Sequence, residues 1–177
     1  MWNGESIQKK KQFIVFDDMR EKNLYQKIEP NVRLNINILL ESAYEQAAFG
    51  TIDSNKMPLV TKVVPSVINN NIYLLLSDLS EHTKNIIANP VASLYFAASE
   101  NHRSRSNNVR LTLQGKVTKL SLDKKGRSFK LLVEKQSTID IGSDMWAYFD
   151  DFNFYEFHIK RQLYVEGFAK AYQELIE

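Results

Sequence analysis

A strict alternation of apolar and polar residues over positions 109–117 constrains the fold of this chain more than any other feature. The apolar set is Val109, Leu111, Leu113, Gly115 and Val117, and the polar set is Arg110, Thr112, Gln114 and Lys116. Successive side chains of a strand point to opposite faces, so the pattern predicts a strand with one face in a core. The polar face is then expected to meet a ligand or a subunit interface.

Further strand patterns on both sides of this segment predict a larger sheet. The other predicted strands cover 47–52, 59–67, 72–76, 91–97, 154–159 and 163–165, and the predicted helices cover 32–43, 80–88, 122–135 and 144–152. Pro65 indicates an edge or a bulge in the second strand, and Asn69-Asn70-Asn71 predicts a tight hairpin because Asn tolerates a left-handed backbone. About seven strands with peripheral helices predict an α+β fold built on a β-barrel.

Length and composition limit the classes of protein that this chain can belong to. Its 177 residues, 44% of them hydrophobic, predict one domain at 31–177, preceded by a polar arm at 1–30 that packs only through Phe13–Phe16. The absence of cysteine excludes disulfides and thiolate chemistry and suits a cytoplasmic location. The sequence predicts neither a signal peptide nor a membrane partner, and a net charge of +2 argues against a nucleic-acid partner.

Motifs for common catalytic chemistry are missing from the sequence. His82, His102 and His158 lack metal-ligand spacing, so no metal site is predicted. There is no Gly-x-Ser-x-Gly nucleophile elbow, no Gly-x-Gly-x-x-Gly loop and no P-loop. The catalytic residues therefore stay unknown, and whether the chain is an enzyme stays open.

Hydroxyl and basic side chains gather where the predicted strand at 72–76 meets the next helix. Ser77, Ser80, His82 and Thr83 stand at this junction. A helix start presents unpaired N–H groups and a partial positive charge, which suit a phosphate or a carboxylate. Plain capping of the helix is the alternative, and both interpretations stay open on these residues alone.

Four motifs together resemble a known superfamily. They are Phe49–Asp53, Leu76–Pro90, Arg110–Gly115 and Leu163–Tyr172. The combination resembles the FMN-binding split-barrel superfamily of pyridoxamine 5'-phosphate oxidase, and within it the HugZ/HutZ haem-utilisation branch.

This resemblance implies a six-stranded split barrel that forms a homodimer, with small-molecule cofactor pockets at the dimer interface. It implies FMN as the cofactor, with haem as the alternative. The implied cofactor-binding residues are Thr61, Lys62, Ser77, Ser80, His82, Thr83, Arg110 and Gln114. Thr61 and His82 stand where the flavin enzymes carry an arginine and a lysine.

Three functions follow from the resemblance. The first is an FMN-binding, oxidoreductase-like protein. The second is a haem-binding or haem-degrading protein, although no histidine follows His158 to act as the axial ligand that the haem branch carries near its C-terminus. The third is a dimeric module without a cofactor, which Thr61 and His82 favour because they stand where cations are expected.

Overall fold

The computed structural model describes residues 25–176, except for the side chains of residues 42 and 43. Residues 1–24, including Phe13–Phe16, lie outside the described part, as does residue 177. Within the described part the strands are β1 (Gln26–Lys27), β2 (Tyr44–Ile52), β3 (Pro58–Val63), β4 (Ser66–Ile68), β5 (Asn71–Ser77), β6 (Val91–Ala98), β7 (Arg110–Lys119), β8 (Phe152–Gly167) and β9 (Lys170–Leu175). The helices are α1 (Pro30–Ile38), which continues into a π-helical turn (Leu39–Ala43), α2 (Glu81–Ala88), α3 (Arg127–Ser137) and α4 (Ser143–Trp146).

All of these strands belong to one sheet, whose main path runs β1-β9-β8-β7-β6-β2-β3. Strand β8 is 16 residues long and pairs with β5, β7 and β9, while β5 carries the short β4 on its other side. The predicted α+β, barrel-like fold with peripheral helices is confirmed. The implied count of six strands is not confirmed, because the sheet of the described residues has nine.

The core lies inside the barrel, and the alternation on β7 points into it as predicted. Leu111 and Leu113 have no exposed surface, whereas Gln114 is exposed. Val32 and Ile36 of α1 complete this core. A second apolar cluster forms where Phe129, Leu132 and Val133 of α3 pack against Phe154 of β8. Helix α3 therefore covers the part of the sheet that contains β5 and the first half of β8.

Two strand predictions are wrong in extent. The predicted strand 59–67 is two strands, because Pro65 lacks the N–H that a continuing ladder needs. The two predicted strands near the C-terminus are the single strand β8, and β9 was not predicted. The hairpin is confirmed, since Asn69 and Asn70 have φ angles of 52° and 67°.

Helix α3 begins at Arg127, five residues later than predicted. The reason is a turn in which the N–H of Gly126 donates to the carbonyl of Asp123. Within the predicted arm, β1 pairs with β9 in parallel and Ile28 packs against the core, so the end of the arm is attached to the domain, contrary to the expectation that it packs only through Phe13–Phe16.

Candidate functional site

A cavity of about 370 Å³ opens beside the junction between β5 and α2. We call it the junction cavity. Its apolar wall consists of Val63, Val64, Leu74, Leu75, Leu76, Trp146 and Phe152, and its polar lining consists of Lys62, Ser77, Ser80, His82, Gln136 and Asp140. Strands β3 and β5 and the start of α2 supply most of these residues, and the rest come from the end of α3, the segment through α4 and the first residue of β8. The arrangement offers apolar and aromatic surface together with a few directed polar groups, as ligand sites do.

The hydroxyl groups of the junction are already used to build the start of α2. Ser80 is the N-cap residue, and its Oγ donates to the carbonyl of Ser77 at 2.7 Å and lies 2.8 Å from Thr83 Oγ1. Ser77 Oγ donates to Asp151. The first N–H groups of the helix, at Glu81 and His82, have no partner inside the helix. An anion in the cavity would therefore meet the helix amides more readily than free hydroxyls.

Asp78 anchors this junction to the sheet. Its Oδ1 accepts from the hydroxyl of Tyr155 at 2.7 Å, and its Oδ2 accepts from Lys119 Nζ at 2.8 Å and from Asn153 Nδ2 at 3.0 Å. Partial burial pushes the pKa of Asp78 upward, but the hydrogen bonds from Lys119, Tyr155 and Asn153 and the charge of Lys119 outweigh it and lower the pKa. The β5–α2 turn is therefore held by an ionised carboxylate.

Thr61 and His82 form a pair at the edge of the cavity. Thr61 Oγ1 lies 2.9 Å from His82 Nδ1, and the imidazole packs edge-on against Phe49 with 5.8 Å between ring centroids. Burial lowers the pKa of His82, so the ring is neutral at pH 7. The two positions at which the resemblance expects cations therefore carry no charge and bond to each other.

The structure brings together five of the eight predicted site residues. Lys62, Ser77, Ser80 and His82 line the junction cavity, and Thr61 contacts it through His82. Thr83 has no exposed surface, so its hydroxyl serves the helix start rather than the cavity.

Arg110 and Gln114 do not line the junction cavity. Arg110 Nη1 donates to the carbonyls of Ser106 at 2.9 Å and Asn108 at 3.2 Å, and Gln114 Oε1 accepts from Arg161 at 3.2 Å. Both side chains lie on the outer face of the barrel sheet, which contains the cross-strand row Lys62, Ala48, Tyr95, Thr112 and Leu163. Within this row, Lys62 is the one charged side chain.

Sequence reasoning missed the side of the cavity that α3 and α4 supply. Trp146 and Phe152 lie in the predicted helix 144–152, whereas Gln136 and Asp140 lie between the predicted helices, and none of the four was predicted as a site residue. One usable signal was Gln136 itself, because it follows Leu132 and Val133 on the apolar face of α3. A polar residue on the buried face of a helix often has a specific partner or ligand.

The comparisons with known proteins identify the family. The family model described as CREG, beta-barrel matches residues 40–174, which is more than half of the chain. The chain belongs to the CREG β-barrel family. No curated protein matches this CREG β-barrel chain.

Solved structures similar to this CREG β-barrel protein share its fold. ChuZ of Campylobacter jejuni is 22% identical with a TM-score of 0.73, over 85% of this chain and 61% of that one. A heme binding protein of Mycobacterium smegmatis is 17% identical with a TM-score of 0.69, over 77% of this chain and 55% of that one. A protein of the pyridoxinephosphate oxidase family from Clostridium acetobutylicum, related to general stress protein 26, is 17% identical with a TM-score of 0.57, over 84% of this chain and 97% of that one.

The family match and these similar structures confirm the predicted split-barrel fold. This CREG β-barrel chain spans less than two thirds of the Campylobacter and mycobacterial proteins. No helix formed by residues 25–176 is long and apolar enough to cross a membrane. In the same part of the chain, no three His, Cys, Asp or Glu side chains gather in a way that could hold a metal ion.

Proposed function

We propose that this CREG β-barrel protein binds FMN in the junction cavity and is an oxidoreductase-like flavin protein. The observation that supports this proposal is the polarity of the cavity. Trp146 and Phe152 offer aromatic surface, Lys62 and the start of α2 offer positive charge, and Asp140 adds one carboxylate to the lining. FMN has a matching shape, since it joins an apolar, planar ring system to a phosphate.

The residues present fit the phosphate through one lysine and the helix start. Lys62 supplies a full charge, and the N–H groups of Glu81 and His82 supply donors backed by the helix dipole. Thr61 and His82 add no charge at pH 7 in the free protein. FMN affinity is therefore expected to rest on Lys62 more than on any other side chain.

Bound flavin would supply the electron transfer, while the protein binds it and limits water access. Within this proposal, Arg110 and Gln114 could contribute only from a second copy of the chain, because they do not line the junction cavity of their own chain. A homodimer that packs through the outer face would bring them towards the partner's cavity. The dimer is accordingly part of the proposal.

Haem is the second candidate. The mycobacterial protein with a TM-score of 0.69 is a heme binding protein. Among the described residues that line the junction cavity, His82 is the one histidine. Its Nδ1 is occupied by Thr61, which leaves Nε2 as a ligand atom for iron.

The test is a titration of the purified protein with FMN and, separately, with haemin, followed by flavin fluorescence and by absorption. FMN binding should weaken about tenfold in Lys62→Ala, the value for a lost charge-assisted hydrogen bond. Lys130→Ala is the matched control, since Lys130 is exposed on α3 and does not line the junction cavity.

Each outcome of this titration separates the candidates. FMN binding that depends on Lys62 supports the proposal. A Soret band with haemin and no FMN binding replaces it with the haem function. Binding of neither ligand overturns both and leaves the dimeric module without a cofactor.

A further inference from the structure

A second cavity, of about 530 Å³, adjoins the junction cavity. We call it the charged cavity. Its lining comes from the π-helical turn and the start of β2, from the end of β3, and from α3 and the residues that follow it. Four residues line both cavities, namely Lys62, Val63, Val64 and Asp140. A small molecule in the charged cavity would therefore lie next to whatever occupies the junction cavity.

Charged side chains of both signs line this second cavity. The carboxylates are those of Glu41, Glu45 and Asp140, and the ammonium groups are those of Lys62 and Lys135. Within residues 25–176, none of the five forms a salt bridge. Lys135 and Asp140 are half-buried, whereas the other three are exposed. The cavity therefore offers unpaired charges of both signs to an incoming molecule.

The two half-buried charges are the ones that a ligand would engage most strongly. Partial burial removes some of the water around each charge, and an opposite charge on a ligand would replace that water. The charge of Asp140 also reaches β2, because burial and this charge together raise the pKa of Tyr44 to about 12. The Tyr44 hydroxyl is therefore neutral at pH 7, and it donates to the carbonyl of Pro65 at 2.8 Å. It leaves the charge of Asp140 without compensation.

The rest of the argument concerns the shape of the molecule that would fit. Aliphatic side chains complete the lining, namely those of Ala47, Val63, Val64 and Ile139. We infer that the charged cavity is a second ligand site, which takes a small molecule with an ammonium group and a carboxylate on an aliphatic body. Asp140 binds the ammonium group, and Lys135 binds the carboxylate because the proposed function assigns Lys62 to the FMN phosphate. This inference goes beyond the proposed function, since the second site does not require FMN.

The experiment uses three probes that share a six-carbon chain and differ in their charged groups: 6-aminohexanoate, hexanoate and hexylamine. Their dissociation constants are measured at pH 7 by ligand-observed NMR on the purified protein without added cofactor. The wild type should bind 6-aminohexanoate about tenfold or more tightly than either other probe, the value for one charge-assisted hydrogen bond. In Lys135→Met it should bind no more tightly than hexylamine. In Asp140→Asn it should lose most of its advantage over hexanoate, while Glu41 and Glu45 remain.

Lys130→Met and Asp144→Asn are the matched controls. Both residues are exposed, on α3 and α4, and neither lines the charged cavity. Each control should keep the wild-type preference for 6-aminohexanoate. Equal binding of the three probes by the wild type, no saturable binding of 6-aminohexanoate, or an unchanged preference in both Lys135→Met and Asp140→Asn would overturn the second site. None of these outcomes depends on whether the protein binds FMN, so the two proposals can fail separately.

Discussion

Replacing Asp78 with Ala should destabilise the whole domain, because Asp78 joins the β5–α2 turn to β7 and β8. The change removes three hydrogen bonds. The costliest loss is at Tyr155, which is 2% exposed, since its hydroxyl is left buried without a partner, at about 1–3 kcal/mol. Lys119 is 45% exposed and contributes at most about 1 kcal/mol. We therefore expect the free energy of unfolding to fall by about 3 kcal/mol.

Urea unfolding followed by circular dichroism measures this loss, which corresponds to a decrease in Tm of roughly 6–12 °C for a domain of this size. Asp150→Ala is the control, because Asp150 is an exposed aspartate just before β8. Tyr155→Phe should cost less than Asp78→Ala, and the two changes should not add, because they share one contact. A decrease in Tm below about 2 °C for Asp78→Ala would refute the reasoning.

Two further predictions concern His82 and the outer face. Burial lowers the pKa of His82 in the folded protein below its value in the unfolded chain, so the unfolded chain binds more protons and the free energy of unfolding falls as the pH drops below about 6.5. The difference between the Tm at pH 7.5 and the Tm at pH 5.5 should therefore be smaller in His82→Asn than in the wild type or in His158→Asn. The same difference in all three proteins would contradict this prediction. Tyr95→Glu, at a position 40% exposed on the outer face, should convert the proposed dimer to a monomer in sedimentation, whereas Leu131→Glu on α3 should not. A monomeric wild type at micromolar concentration would refute the dimer.

Most of the fold was predicted from the alternation of apolar and polar residues in strands and from turn-forming residues. The β7 pattern predicted which side chains enter the core, and the Asn69-Asn70 turn predicted the β4–β5 hairpin. Both signals depend only on residues that are close together in the sequence. The length of β8 was missed because a register shift between Gln114 and Gly115 on its partner strand lets β8 continue through the polar residues Lys160 and Arg161.

Only the part of the candidate site that comes from the continuous segment after β5 could be predicted from the sequence. Ser77, Ser80 and His82 follow β5 directly, so their order along the chain indicates their closeness. Gln136 and Trp146 belong to elements that follow about 60 residues later in the chain. Local sequence patterns do not indicate which residues so far apart will line the same cavity. The Thr61–His82 bond likewise appears only when β3 meets α2.

The three pairings of β8 also determine when the molecule can finish folding during synthesis. One edge of β5 (residues 71–77) pairs with residues 152–157 of β8, which are synthesised about 80 residues later. At 5–20 residues per second, the ribosome needs roughly 4–16 s to synthesise that stretch. During that interval the apolar strand β5 presents an open edge, which can associate with other nascent chains. Ribosome speed over this stretch, and any chaperone that covers β5, should therefore affect the yield of native protein more than events at either end of the barrel.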